Sequence, residues 1–216
     1  MTKIISPSLL SADFGNLEAA CKMINASEAE WLHIDVMDGV FVPNISFGFP
    51  VLEAVNKYCD KPLDVHLMIV NPEKYITRFA KAGADILTFH YETVENPFEI
   101  IEMIKAEGIK VGITINPDVP VSVLEPYVDK VDLVLLMTVF AGYGGQKFIE
   151  ESYDRIADLR QMIERKSAHC VIEVDGGVNV QNAQKLFESG VNVLVAGSAV
   201  FNTDHPIETI HDMLKS

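Results

Sequence analysis

Apolar residues gather along the chain in eight short runs: Ile4 to Ser8, Trp31 to Asp35, Leu63 to Leu67, Ile86 to His90, Val111 to Ile115, Leu133 to Met137, Cys170 to Val174 and Val193 to Ala196. Most of these carry Val, Ile and Leu on both faces, the signature of parallel strands covered by helices. Amphipathic stretches lie between them, and some are sharply punctuated. Asn71-Pro72 is expected to open a helix that stops at Gly83, and Asn96-Pro97 one that stops at Gly108, with cap residue, first-turn proline and terminal glycine in their preferred places. The helix-to-strand joint Ala82-Gly-Ala-Asp-Ile-Leu returns as Ser189-Gly-Val-Asn-Val-Leu. A unit of strand, loop, helix and turn that recurs about eight times, with no second sheet, predicts an α/β chain folded as a single (β/α)8 barrel, the TIM-barrel architecture, over residues 1–216. The competing arrangement is an open doubly wound sheet, but no Gly-x-Gly-x-x-Gly follows the first run.

Polar residues interrupt the apolar runs at their carboxyl ends, where a barrel of this kind carries its active site. Side chains alternate along a strand, so His33 and Asp35 share a side, as do Asp64 and His66. If that side is the barrel interior, His33, Asp35, His66 and Asp175 converge on one point. Two imidazoles with two carboxylates suit one divalent ion per subunit drawn from Zn²⁺, Fe²⁺, Mn²⁺ or Co²⁺; Mg²⁺ and Ca²⁺ favour all-oxygen shells. Taken singly, such a His or Asp is more often structural than functional, and the weight comes from four of them at strand ends. Glycine-rich turns follow the sixth run (Ala141-Gly-Tyr-Gly-Gly-Gln146), the seventh (Asp175-Gly-Gly177) and the eighth (Val195-Ala-Gly-Ser198). Backbone amides in such turns can approach phosphate oxygens closely.

Composition narrows the setting. With 216 residues, 49% of them hydrophobic, the chain can bury one substantial core. A formal charge of −14 without any basic cluster argues against nucleic acid as a partner. No apolar segment is long enough to predict a membrane span, and the first residues lack a leader-like pattern. Three cysteines without Cys-x-x-Cys spacing read as reduced and buried, which predicts a cytoplasmic address.

The chain resembles the ribulose-phosphate 3-epimerase family along its whole length. The resemblance rests on Ser6-Pro-Ser-Leu-Leu-Ser-Ala-Asp-Phe14, His33-Ile-Asp-Val-Met-Asp-Gly39 with Val42-Pro-Asn44, Asp64-Val-His-Leu-Met68, Gly142-Tyr-Gly-Gly-Gln146, Glu173-Val-Asp-Gly-Gly177 and Val195-Ala-Gly-Ser-Ala199. It implies the same barrel, a divalent metal on His33, Asp35, His66 and Asp175, and interconversion of D-ribulose 5-phosphate with D-xylulose 5-phosphate. It further implies that Ser8 and His66 touch this ketose phosphate, and that the phosphate end is held by amides around Gly142, Tyr143, Gly144, Gly145, Gly176, Gly177, Gly197 and Ser198. An apolar cap from Met37, Met68 and Met137, a homo-oligomer and a place in pentose phosphate metabolism are also implied.

The residues suit that chemistry. Inverting the carbon beside a ketone requires a proton removed from one face and returned to the other, and Asp35 as base with Asp175 as acid can do both, exchanging roles in reverse. Two alternatives stay open at this level: a D-allulose 6-phosphate epimerase with the same machinery, and a non-catalytic sugar-phosphate-binding barrel. Phe140-Ala141 stands where many family members have Asn-Pro, next to the loop that would sense sugar length. Lys147 is expected to be a solvated loop residue, His90 to be structural or peripheral, and Asp38 to orient a ligand or only cap the following turn.

Overall fold

The computed structural model describes residues 2–216. Its eight strands are β1 (Ile4–Pro7), β2 (Leu32–Met37), β3 (Leu63–Met68), β4 (Ile86–His90), β5 (Lys110–Ile115), β6 (Leu133–Met137), β7 (Val171–Asp175) and β8 (Val193–Ala196). Each expected run became a strand, within two residues at either end. All pairings are parallel, and the order β1-β8-β7-β6-β5-β4-β3-β2 brings the first strand round to the second. Two contacts close the ring there: a parallel bridge between Ser8 and His33, and the Glu30 N–H donating to the Ile5 carbonyl at 3.3 Å.

Alternation along the strands splits the core in two. The outward set, including Ile5, Ile34, Val65, Leu87, Ile113, Leu136, Val174 and Leu194, packs beneath the helices. The other set starts as an apolar floor of Ile4, Trp31, Ile86, Leu133 and Val193. Above it come Ser6, His33, Asp64, Thr88 and Glu173, all buried. Most strands were expected to be apolar on both faces, with polar pairs on one side of β2 and β3; β2, β3 and β7 do turn polar side chains into the barrel, where their alternate positions build the site.

The helices are α1 (Leu17–Ala26), α2 (Phe49–Tyr58), α3 (Ile76–Ala82), α4 (Pro97–Ala106), α5 (Ser152–Lys166), α6 (Val180–Glu188), α7 (Ser198–Phe201) and α8 (Pro206–Lys215). In α5, Ile156, Leu159 and Ile163 form one buried stripe at helical spacing. The eightfold repeat is imperfect. Between β5 and β6 there is only a 3-10 turn, Val121–Leu124, since prolines at 117, 120 and 126 remove the N–H groups a helix would need. The helix expected from Asn71-Pro72 begins instead as a 3-10 turn, Pro72–Lys74, before α3, and neither Asn71 nor Asn96 makes a side-chain cap bond. The stops are as expected, with Gly83 and Gly108 in the left-handed region.

Because the barrel's interior is polar, stability rests on the outward layer. Leu136→Ala, a fully buried position on β6, is expected to cost about 2–5 kcal/mol, measured as a lower midpoint of urea unfolding with unchanged slope.

Candidate active site

Strand register assembles the site. The pairing of β2 with β3 sets His33 beside Asp64 and Asp35 beside His66, while Asp175 ends β7 next to Met137 and Val195. Asp35 Oδ1 lies 3.3 Å from His33 Nε2 and 3.1 Å from His66 Nδ1, and Asp175 Oδ2 lies 4.0 Å from His66 Nδ1. The Ser8 hydroxyl donates to Asp35 Oδ2 at 2.6 Å. One donor atom from each of His33, Asp35, His66 and Asp175 falls within 4.8 Å of the others. The four predicted ligands are therefore brought together.

This donor set fits a divalent cation. His33 Nδ1 faces Asp64 Oδ2 at 2.6 Å, which in the neutral imidazole puts the proton on Nδ1 and the lone pair on Nε2, an atom buried without a hydrogen-bond partner and facing the cluster. Charge on the protein side is lopsided. Burial works against a charged Asp35, but His33 and His66 outweigh it and keep its carboxyl well below the usual range. For Asp175, burial and then the Asp35 charge push the carboxyl up to about 7. Burial likewise opposes charge on His33, yet Asp35 and Asp64 hold it well above the ordinary imidazole value; at His66 burial prevails and lowers it.

Above the cluster, one cleft is lined by Ser8, Asp35 and Asp175, by Met37, Met68 and Met137, and by residues 142–145, Gly176, Gly177, Gly197 and Ser198. His33 and His66 lie beneath its floor, fully buried. The glycines leave room that side chains would fill. A Cβ on Gly176 would sit 2.3 Å from Val139 Cγ2, and one on Gly197 2.7 Å from Ser11 Oγ. The loop after β2 clips the loop after β6: Asn44 Nδ2 donates to the Gly142 carbonyl at 2.9 Å and the Tyr143 hydroxyl to the Pro43 carbonyl at 2.7 Å. At the unusual Phe140-Ala141, the Ala141 N–H donates to Asn116 Oδ1 at 3.1 Å, a bond a proline could not make.

Of the peripheral residues, Lys147 is exposed outside the cleft lining. Asp38 accepts N–H groups from Val40, Phe41 and Val70, as a turn cap does. His90, expected to be structural or peripheral, takes the structural branch. It is fully buried, with Nε2 only 2.9 Å from His66 Nε2 and Nδ1 3.3 Å from Glu92 Oε2. Sequence reasoning assigned no role to Asp64, His90 or Glu92; the signal available for the last two was the His-x-Glu spacing at the end of β4.

The chain matches the model of the Ribulose-phosphate 3 epimerase family over residues 4–201. It is 50% identical over 198 residues to the ribulose-phosphate 3-epimerase of Bacillus subtilis, covering 91% of each chain. It is 48% identical to the chloroplastic ribulose-5-phosphate-3-epimerase of Arabidopsis thaliana, covering 96% of this chain and 74% of that one. To the ribulose-phosphate 3-epimerase of a Synechocystis species it is 45% identical, covering 96% and 91%. Among solved structures, a mutant tryptophan synthase alpha-subunit from Pyrococcus furiosus superposes with a TM-score of 0.76 at 17% identity, covering all of both chains, a likeness of fold alone.

Two glycines separate backbone strain from steric contact. Gly145, at φ +71, has nothing near its missing Cβ, whereas at Gly177, φ +68, a Cβ would meet Phe148 N at 2.3 Å. Gly145→Ala should cost about 1–2 kcal/mol for the left-handed backbone and Gly177→Ala clearly more, measured side by side by urea unfolding.

Proposed function

The chain belongs to the ribulose-phosphate 3-epimerase family and is an isomerase, and we propose how its own residues carry the interconversion of D-ribulose 5-phosphate with D-xylulose 5-phosphate. Residues 1–216 act as one catalytic domain. His33, Asp35, His66 and Asp175 hold one divalent ion, Zn²⁺, Fe²⁺, Mn²⁺ or Co²⁺, matched to two nitrogen and two carboxylate donors. When bound, that ion supplies Lewis-acid stabilisation of the negative charge developed as the C3 proton leaves. Asp35 takes the proton from one face of C3, and Asp175 delivers one to the other; in reverse they exchange roles.

The observation that carries this reading is geometric: two carboxylates, Asp35 and Asp175, flank His66 Nδ1 at 3.1 and 4.0 Å and both line the cleft. Two carboxylates on either side of one carbon can remove a proton from one face and return one to the other. Ser8 fixes Asp35 through its hydroxyl and lines the cleft beside the substrate. The three methionines close the apolar side and limit water at C3, while the amides of residues 142–145, Gly176, Gly177, Gly197 and Ser198 receive the phosphate. The six-carbon and non-catalytic alternatives give way to this reading, because the relatives matched over nearly the whole chain are named as ribulose-phosphate 3-epimerases.

No helix among the described residues is long and apolar enough to cross a membrane. We propose a cytoplasmic address, consistent with three free, buried cysteines. We also propose a homo-oligomer, in keeping with the exposed Val40 and Ile45.

In D2O, the metal-loaded protein is expected to place deuterium at C3 of D-ribulose 5-phosphate as it epimerises it. Asp35→Asn and Asp175→Asn should each lower kcat by at least about 10²- to 10⁴-fold and abolish the exchange. A chelator should abolish turnover, and added Co²⁺ or Zn²⁺ should restore it; turnover indifferent to the chelator would remove the metal from this scheme.

A further inference from the structure

His66 is held from both ends of its ring. Nδ1 faces Asp35 Oδ1 at 3.1 Å and Asp175 Oδ2 at 4.0 Å. Nε2 faces His90 Nε2 at 2.9 Å, His90 Nδ1 faces Glu92 Oε2 at 3.3 Å, and Glu92 Oε1 accepts the Asn116 N–H at 2.8 Å. Both imidazoles are fully buried, so water competes for none of their nitrogens.

Two neutral rings carry two hydrogens for three contacts, so Asp35 at His66 Nδ1 and Glu92 at His90 Nδ1 compete, and a cation on the cluster removes the need for a proton at the first. Two neutral ring nitrogens 2.9 Å apart share a single hydrogen, and the far side of His90 decides which ring carries it. An ionised carboxylate only accepts. The hydrogen between His90 and Glu92 therefore sits on His90 Nδ1, leaving His90 Nε2 as an acceptor. With a cation at the cluster, His66 Nε2 then carries the hydrogen between the rings, and His66 Nδ1 is bare. Its lone pair points toward two carboxylate oxygens, an arrangement that wants a cation and that the opposite tautomer would block with an N–H.

We propose that His90 and Glu92 are positioning residues that fix the tautomer and direction of His66, keeping its Nδ1 open to the cation. This rests on the reading of His33, Asp35, His66 and Asp175 as the metal site. On the other imidazole ligand, Asp64 makes the equivalent contact directly at His33 Nδ1. His66 receives its carboxylate through one intervening histidine.

Glu92→Gln is the sharpest test, since it keeps the shape but offers one carbonyl oxygen to two waiting donors, Asn116 N–H and His90 Nδ1–H. His90→Phe is the second variant; it keeps a ring against Phe41, whose centroid lies 4.6 Å from that of His90, and provides no acceptor. Co²⁺ affinity of the full chain would be measured by chelator competition, with circular dichroism to confirm folding. The His66 nitrogens would be followed by ¹⁵N NMR in the Zn²⁺-loaded wild type. Expected are a proton on His66 Nε2 with Nδ1 ligated, about 10- to 100-fold weaker Co²⁺ binding in both variants, and a KM for D-ribulose 5-phosphate that stays near wild type at saturating metal. Unchanged affinity in both folded variants, or ligation through His66 Nε2, would overturn the relay while leaving the metal site intact. If wild type fails to bind Co²⁺, or His33→Gln leaves binding unaltered, the metal-site reading falls and the relay with it.

Discussion

Burying the Asp35 carboxylate in the middle of a barrel governs much of the surrounding design. An ion removed from water costs several kcal/mol even after relaxation, unless partners around it compensate. Asp35 receives the Ser8 hydroxyl from beyond the end of β1 and stands between His33 on its own strand and His66 on β3. Each imidazole needs its far nitrogen satisfied in turn, which draws in Asp64 at one and His90 with Glu92 at the other. One anion thus dictates inward polar positions on β2, β3 and β4, and the apolar share of stabilisation shifts to the layer beneath the helices.

Much of this was legible in the sequence because it depends on periodicity. Residues two apart on a strand share a side, so His33 with Asp35 announces an inward pair as soon as the barrel is recognised. The eight runs were visible because strands covered by helices need Val, Ile and Leu on the covered face. What stayed hidden depends on relations between elements. His90 looked like an isolated strand-end histidine, since nothing along β4 reveals that His66 lies within hydrogen-bond reach from β3. The missing fifth helix was written in three prolines, yet a count of repeating units overrode them. Asn71 and Asn96 sit where caps belong, but their side chains make no cap bond.

The loops repeat the lesson at longer range. Asn44 and Gly142 are 98 residues apart in sequence, and Tyr143 and Pro43 are 100 apart; their bonds join two rims over the cleft. No local pattern encodes such a clip. At Phe140-Ala141 the sixth loop is anchored by the amide bond from Ala141 to Asn116, while the nearby glycines make close approaches.

The ring's closure has a consequence for the order in which the protein becomes itself. The ladder partner of β1 is β8, with Ile4 against Val193 and Pro7 against Ala196, whereas toward β2 it has no ladder but the Ser8–His33 bridge, the Glu30–Ile5 backbone bond and side-chain bonds such as Ser8–Asp35. During synthesis β1 must wait for β8. Until β8 emerges, the growing sheet has open edges able to pair with another chain. The turn after β8 comes to face Ser8 only at that step, so the site is complete only once β8 has joined the sheet, and the open edges are closed at the same moment.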